Sequence, residues 1–186
     1  RLGVTLALGD VNHRIRGQES DEDSRWVVEF ARYLGVPCLV GSTDVPRLRA
    51  QRGGSLEDTA RNARRALLED MRASIGADVI ATAHHADDQA ETVLMHAMRG
   101  SGLTGIAGMT WGPRDGIIRP LLGSCRADIR AALERWDMPW REDASNESLD
   151  HERNRVRREL LPLLEREWNP QIGRALSRLA EAAAID

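Results

Sequence analysis

The chain has 186 residues, 41% of them hydrophobic, enough for one well-buried core with a small appendage, so a single main domain is expected. Its 26 basic and 29 acidic residues nearly cancel to a net charge of −3, which disfavours a globally basic nucleic-acid binder. No apolar run approaches a bilayer span, residues 1–30 lack the order of a signal peptide, and Cys38 and Cys125 stand far apart, so a cytoplasmic chain with no membrane segment and no disulfide framework is expected.

In chain order, Val4, Leu6 and Leu8 alternate as in a strand, and the polar stretch from Asn12 to Gly17 leaves it. Ser20, with Asp21, Glu22 and Asp23 favouring the N-terminal dipole, starts a predicted helix through Leu34, which Gly35-Val36-Pro37 stops. Cys38 to Gly41 reads as a short strand, and Asp44 to Gly54, rich in Arg, Gly and Pro, as a loop. Ser55 is the expected N-cap of a helix through about Ser74. Next come a strand at Asp78 to Ala81, a polar turn, and a helix with apolar residues Ala90, Val93, Leu94, Ala97 and Met98. Ile117 to Leu121 is a further short strand, followed by a helix from Ala127 to Trp136 capped by Ser124. The tail carries Asn169-Pro170 as an expected helix start, with Ile172, Leu176, Leu179 and Ala183 at helical spacing.

Alternating strands and helices argue for an α/β domain, doubly wound around a mostly parallel, Rossmann-like sheet, with a helical C-terminal extension. In such sheets ligands bind beyond the carboxyl ends of the strands. His84, His85, Asp87 and Asp88 follow the strand ending at Ala81 and so occupy that position. Three readings of the cluster stand. Asp88 caps the following helix with Glu91 completing a capping box. His and carboxylate hold a transition metal, although consecutive histidines point to opposite sides of an extended chain. Or the helix N-terminus faces a nucleotide phosphate while one or both carboxylates hold Mg²⁺. Every basic residue is arginine, and Arg153-Asn154-Arg155-Val156-Arg157-Arg158 concentrates them; it is either a phosphate-binding patch or a solvated face.

Val11-Asn12-His13-Arg14-Ile15-Arg16-Gly17, Ala83-His84-His85-Ala86-Asp87-Asp88-Gln89-Ala90-Glu91-Thr92, and Arg99-Gly100-Ser101-Gly102-Leu103 with Gly105 and Gly108-Met109 stand in the order found in one family. So do Ile117 to Leu122, Glu142-Asp143-Ala144-Ser145-Asn146, and Arg153 to Arg157 with Leu160-Leu161-Pro162. Together they resemble the tRNA(Ile)-lysidine synthases of the N-type ATP pyrophosphatase, or PP-loop, superfamily. The resemblance spans nearly the whole chain.

It implies an adenine nucleotide alpha hydrolase-like fold, with a catalytic domain over 1–165 and a linker helix or the start of a tRNA-binding domain over 166–186. It implies ATP and Mg²⁺ as cofactors, and L-lysine and tRNA(Ile) with a CAU anticodon as substrates; a homodimer stays open. ATP first adenylylates C2 oxygen of the wobble cytidine, releasing pyrophosphate, and the lysine ε-amine then displaces AMP. By the same resemblance His84, His85, Asp87 and Asp88 are catalytic, with Asp87 and Asp88 the metal ligands. Asn12, His13, Arg99, Ser101 and Gly102 border the nucleotide. Arg14, Arg16, Glu142, Asp143, Asn146, Arg153, Asn154 and Arg157 meet lysine, tRNA or phosphate.

One departure stands out. Family members begin with a strand and a Ser-Gly-Gly-x-Asp-Ser loop that cradles pyrophosphate, whereas this chain starts at Arg1, which by that resemblance is one βα unit later. Gly53-Gly54-Ser55 lacks the Asp and precedes a different helix. The expectation is therefore a ligase domain inactive by itself. Two rivals remain: a tRNA sulfurtransferase of the same superfamily, against which two isolated cysteines argue, and a non-catalytic RNA-binding remnant.

Overall fold

The structure is a computed structural model that describes residues 3–141 and 152–185. It divides into two compact units, Arg1–Ile80 and Ala81–Asp186.

In the first unit, β1 (Leu8–Asn12) pairs in parallel with β2 (Cys38–Ser42), Leu8 opposite Cys38 and Asn12 opposite Ser42. The connection is α1 (Gln18–Leu34), giving the βαβ unit that the strand and helix order predicts. The strand lies later than the Val4-Leu6-Leu8 alternation suggests. Cys38–Ser42 offers partners only to residues 8–12, and Val4 and Leu6 stay more than 60% exposed. α1 also starts two residues before Ser20, whose hydroxyl instead accepts the backbone N–H of Arg16.

The segment 44–54, expected as a loop, contains α2 (Val45–Arg52). Its start is chemically explicit: the Asp44 side chain accepts the Arg47 N–H at 2.9 Å, and Pro46 sits in the first turn where a missing N–H costs nothing. α3 (Leu56–Ser74) begins as expected, with Ser55 accepting the Asp58 N–H at 3.0 Å. It packs on one face of the strand pair at Gly9 and Gly41. A Cβ on Gly41 would lie 2.8 Å from the Met71 methyl, so the glycine permits the close approach. Asn12, on the opposite face by the alternation of the strand, reaches α1 through Asp21.

β3 (Ile80–Ala81) forms the second strand pair with β4 (Ile117–Ile118), and the chain then enters α4 (Ala86–Met98). α4 is the centre of the second unit, burying Gln89, Ala90, Glu91 and Val93. α5 (Leu103–Ile106) and α9 (Ile172–Ala183) pack against it. α9 uses the fully buried Ala180, and the Ser177 hydroxyl donates to the Ala86 carbonyl. α9 starts beyond Asn169, which accepts the N–H groups of Gln171 and Ile172.

α6 (Arg126–Arg135) follows β4, and its N-cap is Cys125 rather than Ser124. α7 (Glu152–Arg155) runs through a π-helical stretch (Val156–Leu160) into α8 (Leu161–Glu167). The widened turn is marked by the Leu161 N–H bonding to Val156, five residues back. Pro162 explains it: with no N–H to meet the Arg158 carbonyl and a ring that crowds it, proline opens the turn before it. Among the described residues no helix is long and apolar enough to cross a membrane.

Candidate active site

The polar turn from Thr82 to His85 carries His84 and His85 to the start of α4, whose first turn holds Asp87 and Asp88. His85 is the N-cap: its Nδ1 accepts the Asp88 N–H at 3.4 Å, and the Asp88 Oδ2 accepts the His85 N–H at 3.1 Å. This reciprocal box stands three residues earlier than the expected Asp88 to Glu91 box, because the turn is used up by His85 and the helix is already wound at Asp88. His84 bonds through Nδ1 to the Thr82 hydroxyl at 2.9 Å, away from the cap.

Asp87 projects elsewhere. Its Oδ2 accepts the Arg126 N–H at 2.8 Å and so caps α6 from a distant part of the chain. The same oxygen lies 3.4 Å from His85 Nδ1. Nδ1 therefore faces two neighbours with opposite demands: bare, it accepts from Asp88 N–H; protonated, it donates to Asp87. The hydrogen bond from His85 holds the Asp87 carboxyl below its ordinary range. Burial opposes this, and the Arg126 N–H adds to it.

Glu91, one turn further along α4, is 1% exposed and carries no cap. Its carboxylate takes the Nε–H of Arg153 on Oε2 at 2.6 Å and that of Arg157 on Oε1 at 2.5 Å. The two arginines, four residues apart, also send their Nη2 atoms to Asp88 Oδ1, at 3.1 and 2.9 Å. Burial disfavours the charge on Arg157, but Glu91, then Asp88 and Asp87, outweigh it and raise its pKa. Two cations and two anions are thus closed on each other in a part-buried site, with Glu91 alone of the four sealed from solvent, and leaving that buried carboxylate without a partner costs about 3–5 kcal/mol.

α4 also fixes the glycine-rich loop that follows it. The buried Gln89 amide donates to the Met109 carbonyl at 2.9 Å and accepts the Met109 N–H at 2.8 Å. Gly108, at φ 57°, passes so close that a Cβ there would lie 2.8 Å from Gln89 Oε1. His96, two turns along the same face, meets the Gly105 carbonyl through Nδ1. Ser101 packs against Gly105, Gly102 starts α5, and Arg99 pairs with Glu152 at the head of α7.

Asn12, His13, Arg14 and Arg16 lie in the first unit. Asn12 donates to Asp21 Oδ1 at 2.7 Å and accepts the Arg14 N–H; Arg14, at φ 53°, reaches the Ser42 hydroxyl; Arg16 pairs with Asp23 at 2.7 Å. His13 Nδ1 and Asp10 Oδ2 are buried without a hydrogen-bond partner. Burial lowers the His13 pKa, Arg64 adds to the effect, and Asp10 opposes it. Asn154 is buried in α7, while Glu142, Asp143 and Asn146 lie outside the described residues.

Of the expected site residues, the structure gathers His85, Asp87, Asp88, Arg153 and Arg157 at the N-terminal half of α4. Arg99 instead binds Glu152. Sequence reading missed Glu91 as the anchor of the arginines and Gln89 as the clamp of the loop; the three-residue spacing of Asp88 and Glu91 and the four-residue spacing of Arg153 and Arg157 were the available signals.

Compared with known proteins, residues 1–164 match the family described as the PP-loop domain. The chain belongs to the PP-loop domain family. This PP-loop domain is 41% identical over 186 residues to a tRNA(Ile)-lysidine synthase of Geobacter sulfurreducens, covering all of this chain and 39% of that protein. It is 40% identical over 185 residues to a tRNA(Ile)-lysidine synthase of Solibacter usitatus, covering 99% and 40%. It thus spans about two fifths of the length of the curated relatives it matches. Among solved structures, the U34-tRNA thiolase NcsA from Methanococcus maripaludis superposes with a TM-score of 0.73 at 18% identity, covering 96% of this chain and 62% of that one. The doubly wound, Rossmann-like fold class agrees with that likeness.

Proposed function

We propose that this PP-loop domain uses ATP to attach L-lysine to C2 of the wobble cytidine of tRNA(Ile) with a CAU anticodon, in the cytoplasm, through an adenylylated tRNA. The observation that supports it most is the similarity, end to end along the chain, to proteins named tRNA(Ile)-lysidine synthase. The site agrees chemically. A cytidine C2 oxygen leaves only once esterified to phosphate, and that transfer needs fixed positive charge near a departing pyrophosphate. The first turn of α4 and the guanidinium groups of Arg153 and Arg157 lie in one unit, the two cations balanced by Asp88 and Glu91.

The family implies Mg²⁺ beside the phosphates, and the residues fit it in a limited way. Among the described residues no group of three or more His, Cys, Asp and Glu side chains can hold a metal. Mg²⁺ needs no such cage, since it keeps waters and takes one or two carboxylates plus phosphate oxygens. Asp87 suits that role: its side chain is 48% exposed, and the hydrogen bond to Arg126 engages only Oδ2. Asp88 suits it less, since Oδ1 meets two guanidinium groups and Oδ2 a backbone N–H. When bound there, the ion would neutralise charge on the leaving pyrophosphate. The chain's own residues do the rest: His85 fixes the first turn of α4, Asp87 ties that turn to α6, and Gln89 holds the glycine loop in place.

The test is AMP release from ATP with L-lysine and unmodified tRNA(Ile), on this chain and on the same chain preceded by a relative's strand and Ser-Gly-Gly-x-Asp-Ser loop. AMP formed only when both lysine and tRNA are present supports the proposal. AMP formation that requires a sulfur donor, or none in either protein, overturns it.

A further inference from the structure

The loop that Gln89 holds runs directly into an aromatic side chain. Met109 is fixed through both its N–H and its carbonyl by the buried Gln89 amide. The next two carbonyls are taken by Arg119, whose Nη1 donates to Thr110 at 3.1 Å and whose backbone N–H donates to Trp111 at 3.2 Å. Three consecutive residues are thereby tied down. The indole of the third lies against Gly123, where a Cβ would stand 2.5 and 2.7 Å from two carbons of its six-membered ring. Gly123 is not among the glycines at positive φ, so its missing Cβ makes room for the ring rather than for a turn.

Trp111 nevertheless stays 49% exposed. Exposure alone decides nothing, since Trp136 and Trp168 are more exposed at the ends of α6 and α8. Position decides it. Gly123 precedes Ser124, whose carbonyl accepts the Ala86 N–H at 2.9 Å, and stands three residues before Arg126, whose N–H is bound by Asp87. Three Cα steps of about 3.8 Å place the seat of the ring within about 11 Å of Arg126, beside the first turn of α4. The segment 111–126 also carries Arg114, Arg119 and Arg126 against one acid, Asp115. An aromatic ring on a locally basic surface is the arrangement on which bases of a single strand stack, and a ring already held in place loses little freedom on binding.

We propose that Trp111 is the platform on which one unpaired base of an RNA substrate stacks at the rim of the candidate active site, and that Gly123 is the positioning residue that seats the ring. The inference rests on the reading above only in taking the partner to be RNA. Removing the ring and displacing it abolish the same contact.

The experiment is fluorescence anisotropy of a short, end-labelled single-stranded RNA containing CAU, titrated with the full chain in the absence of ATP and lysine. Trp111→Leu keeps an apolar side chain against Gly123 and removes the π-face; its affinity is expected to fall about tenfold, whereas Trp111→Phe stays within about threefold of the wild type. Gly123→Ala pushes the ring from its seat and is expected to weaken binding to a similar degree, with no further loss when combined with Trp111→Leu. In the deciding arm the RNA bases are replaced one at a time by abasic sites: at one position the loss is expected to be about tenfold in the wild type and absent in Trp111→Leu. No RNA binding by the wild type, or a Trp111→Leu effect that is the same on every abasic RNA, overturns the proposal, as does a loss of ATP affinity in place of RNA affinity. If Trp111→Leu fails to fold, Gly123→Ala with the abasic series decides. Lysine-dependent AMP release is not the readout, so loss of the lysidine reading leaves a stacked base standing, and a failed stacking test leaves that reading intact.

Discussion

Asp87 Oδ2 sits 2.8 Å from the backbone nitrogen of Arg126, so the first turn of α4 caps the first turn of α6. Two helix starts thereby share one carboxylate, and its ionisation is coupled to folding. The folded pKa lies below the ordinary 3.8 because of the His85 hydrogen bond, against burial and with help from the Arg126 N–H. The stabilisation is therefore present above that ordinary value and is lost as pH falls through the lowered folded value. Thermal unfolding followed from neutral pH downward should show an acid-side loss of stability in the wild type that is reduced in Asp87→Asn, which retains an acceptor without a charge. Asp87→Ala removes the cap altogether and should cost about 1 kcal/mol at neutral pH.

His13 adds a second acid-side signature, beginning at a higher pH than that of Asp87. With its pKa lowered from 6.5 by burial, then by Arg64, against Asp10, the folded state binds a proton less readily than the unfolded chain. Stability is unaffected above 6.5 and declines as pH falls below it, until the folded His13 is itself protonated. The urea midpoint at about pH 5.5 should lie below that at about pH 8 in the wild type, and His13→Gln should narrow the gap. Equal narrowing by a substitution at the exposed end of α2, such as Arg52→Gln, would assign the effect to general charge instead.

Gly108 and Gly116 separate strain from collision. Both have positive φ, but a Cβ at Gly116 meets open space whereas one at Gly108 meets the buried Gln89 amide at 2.8 Å. Gly116→Ala should cost about 1 kcal/mol from conformation alone. Gly108→Ala should cost about 1–3 kcal/mol more, since Gln89 cannot retreat without abandoning its bonds to Met109. Urea denaturation of the two variants measures the difference.

These relationships also show which parts of the fold were visible in the residues. Local signals were legible: Ser55 three residues before Asp58 marked the start of α3, and Gly35-Val36-Pro37 ended α1 before β2. The strand, polar turn and helix around His84 and His85 were legible for the same reason, since hydrophobic period and turn chemistry act over a few residues. α2 was obscured by composition: arginine and glycine suggested a loop, although Asp44 and Pro46 already carried a helix start. Long-range partners had no local trace. The role of Glu91 depends on arginines 62 and 66 residues away, and Asp87 serves a backbone N–H 39 residues on. β1 shifted for a related reason, since its limits are set by the five residues of β2 rather than by its own alternation.

Asp87 also separates capping from chemistry. Asparagine is as good an N-terminal acceptor as aspartate, so Asp87→Asn should keep the bond to Arg126 and change stability at neutral pH by less than about 0.5 kcal/mol. It cannot offer a charged oxygen to a cation or to a developing charge, so on the proposed function AMP formation in the extended protein should fall by about 10²-fold or more. A steady-state assay paired with a thermal melt decides between the roles. Loss of activity with an unchanged melting temperature places the Asp87 charge in the reaction, whereas parallel losses of both would make Asp87 a helix cap alone.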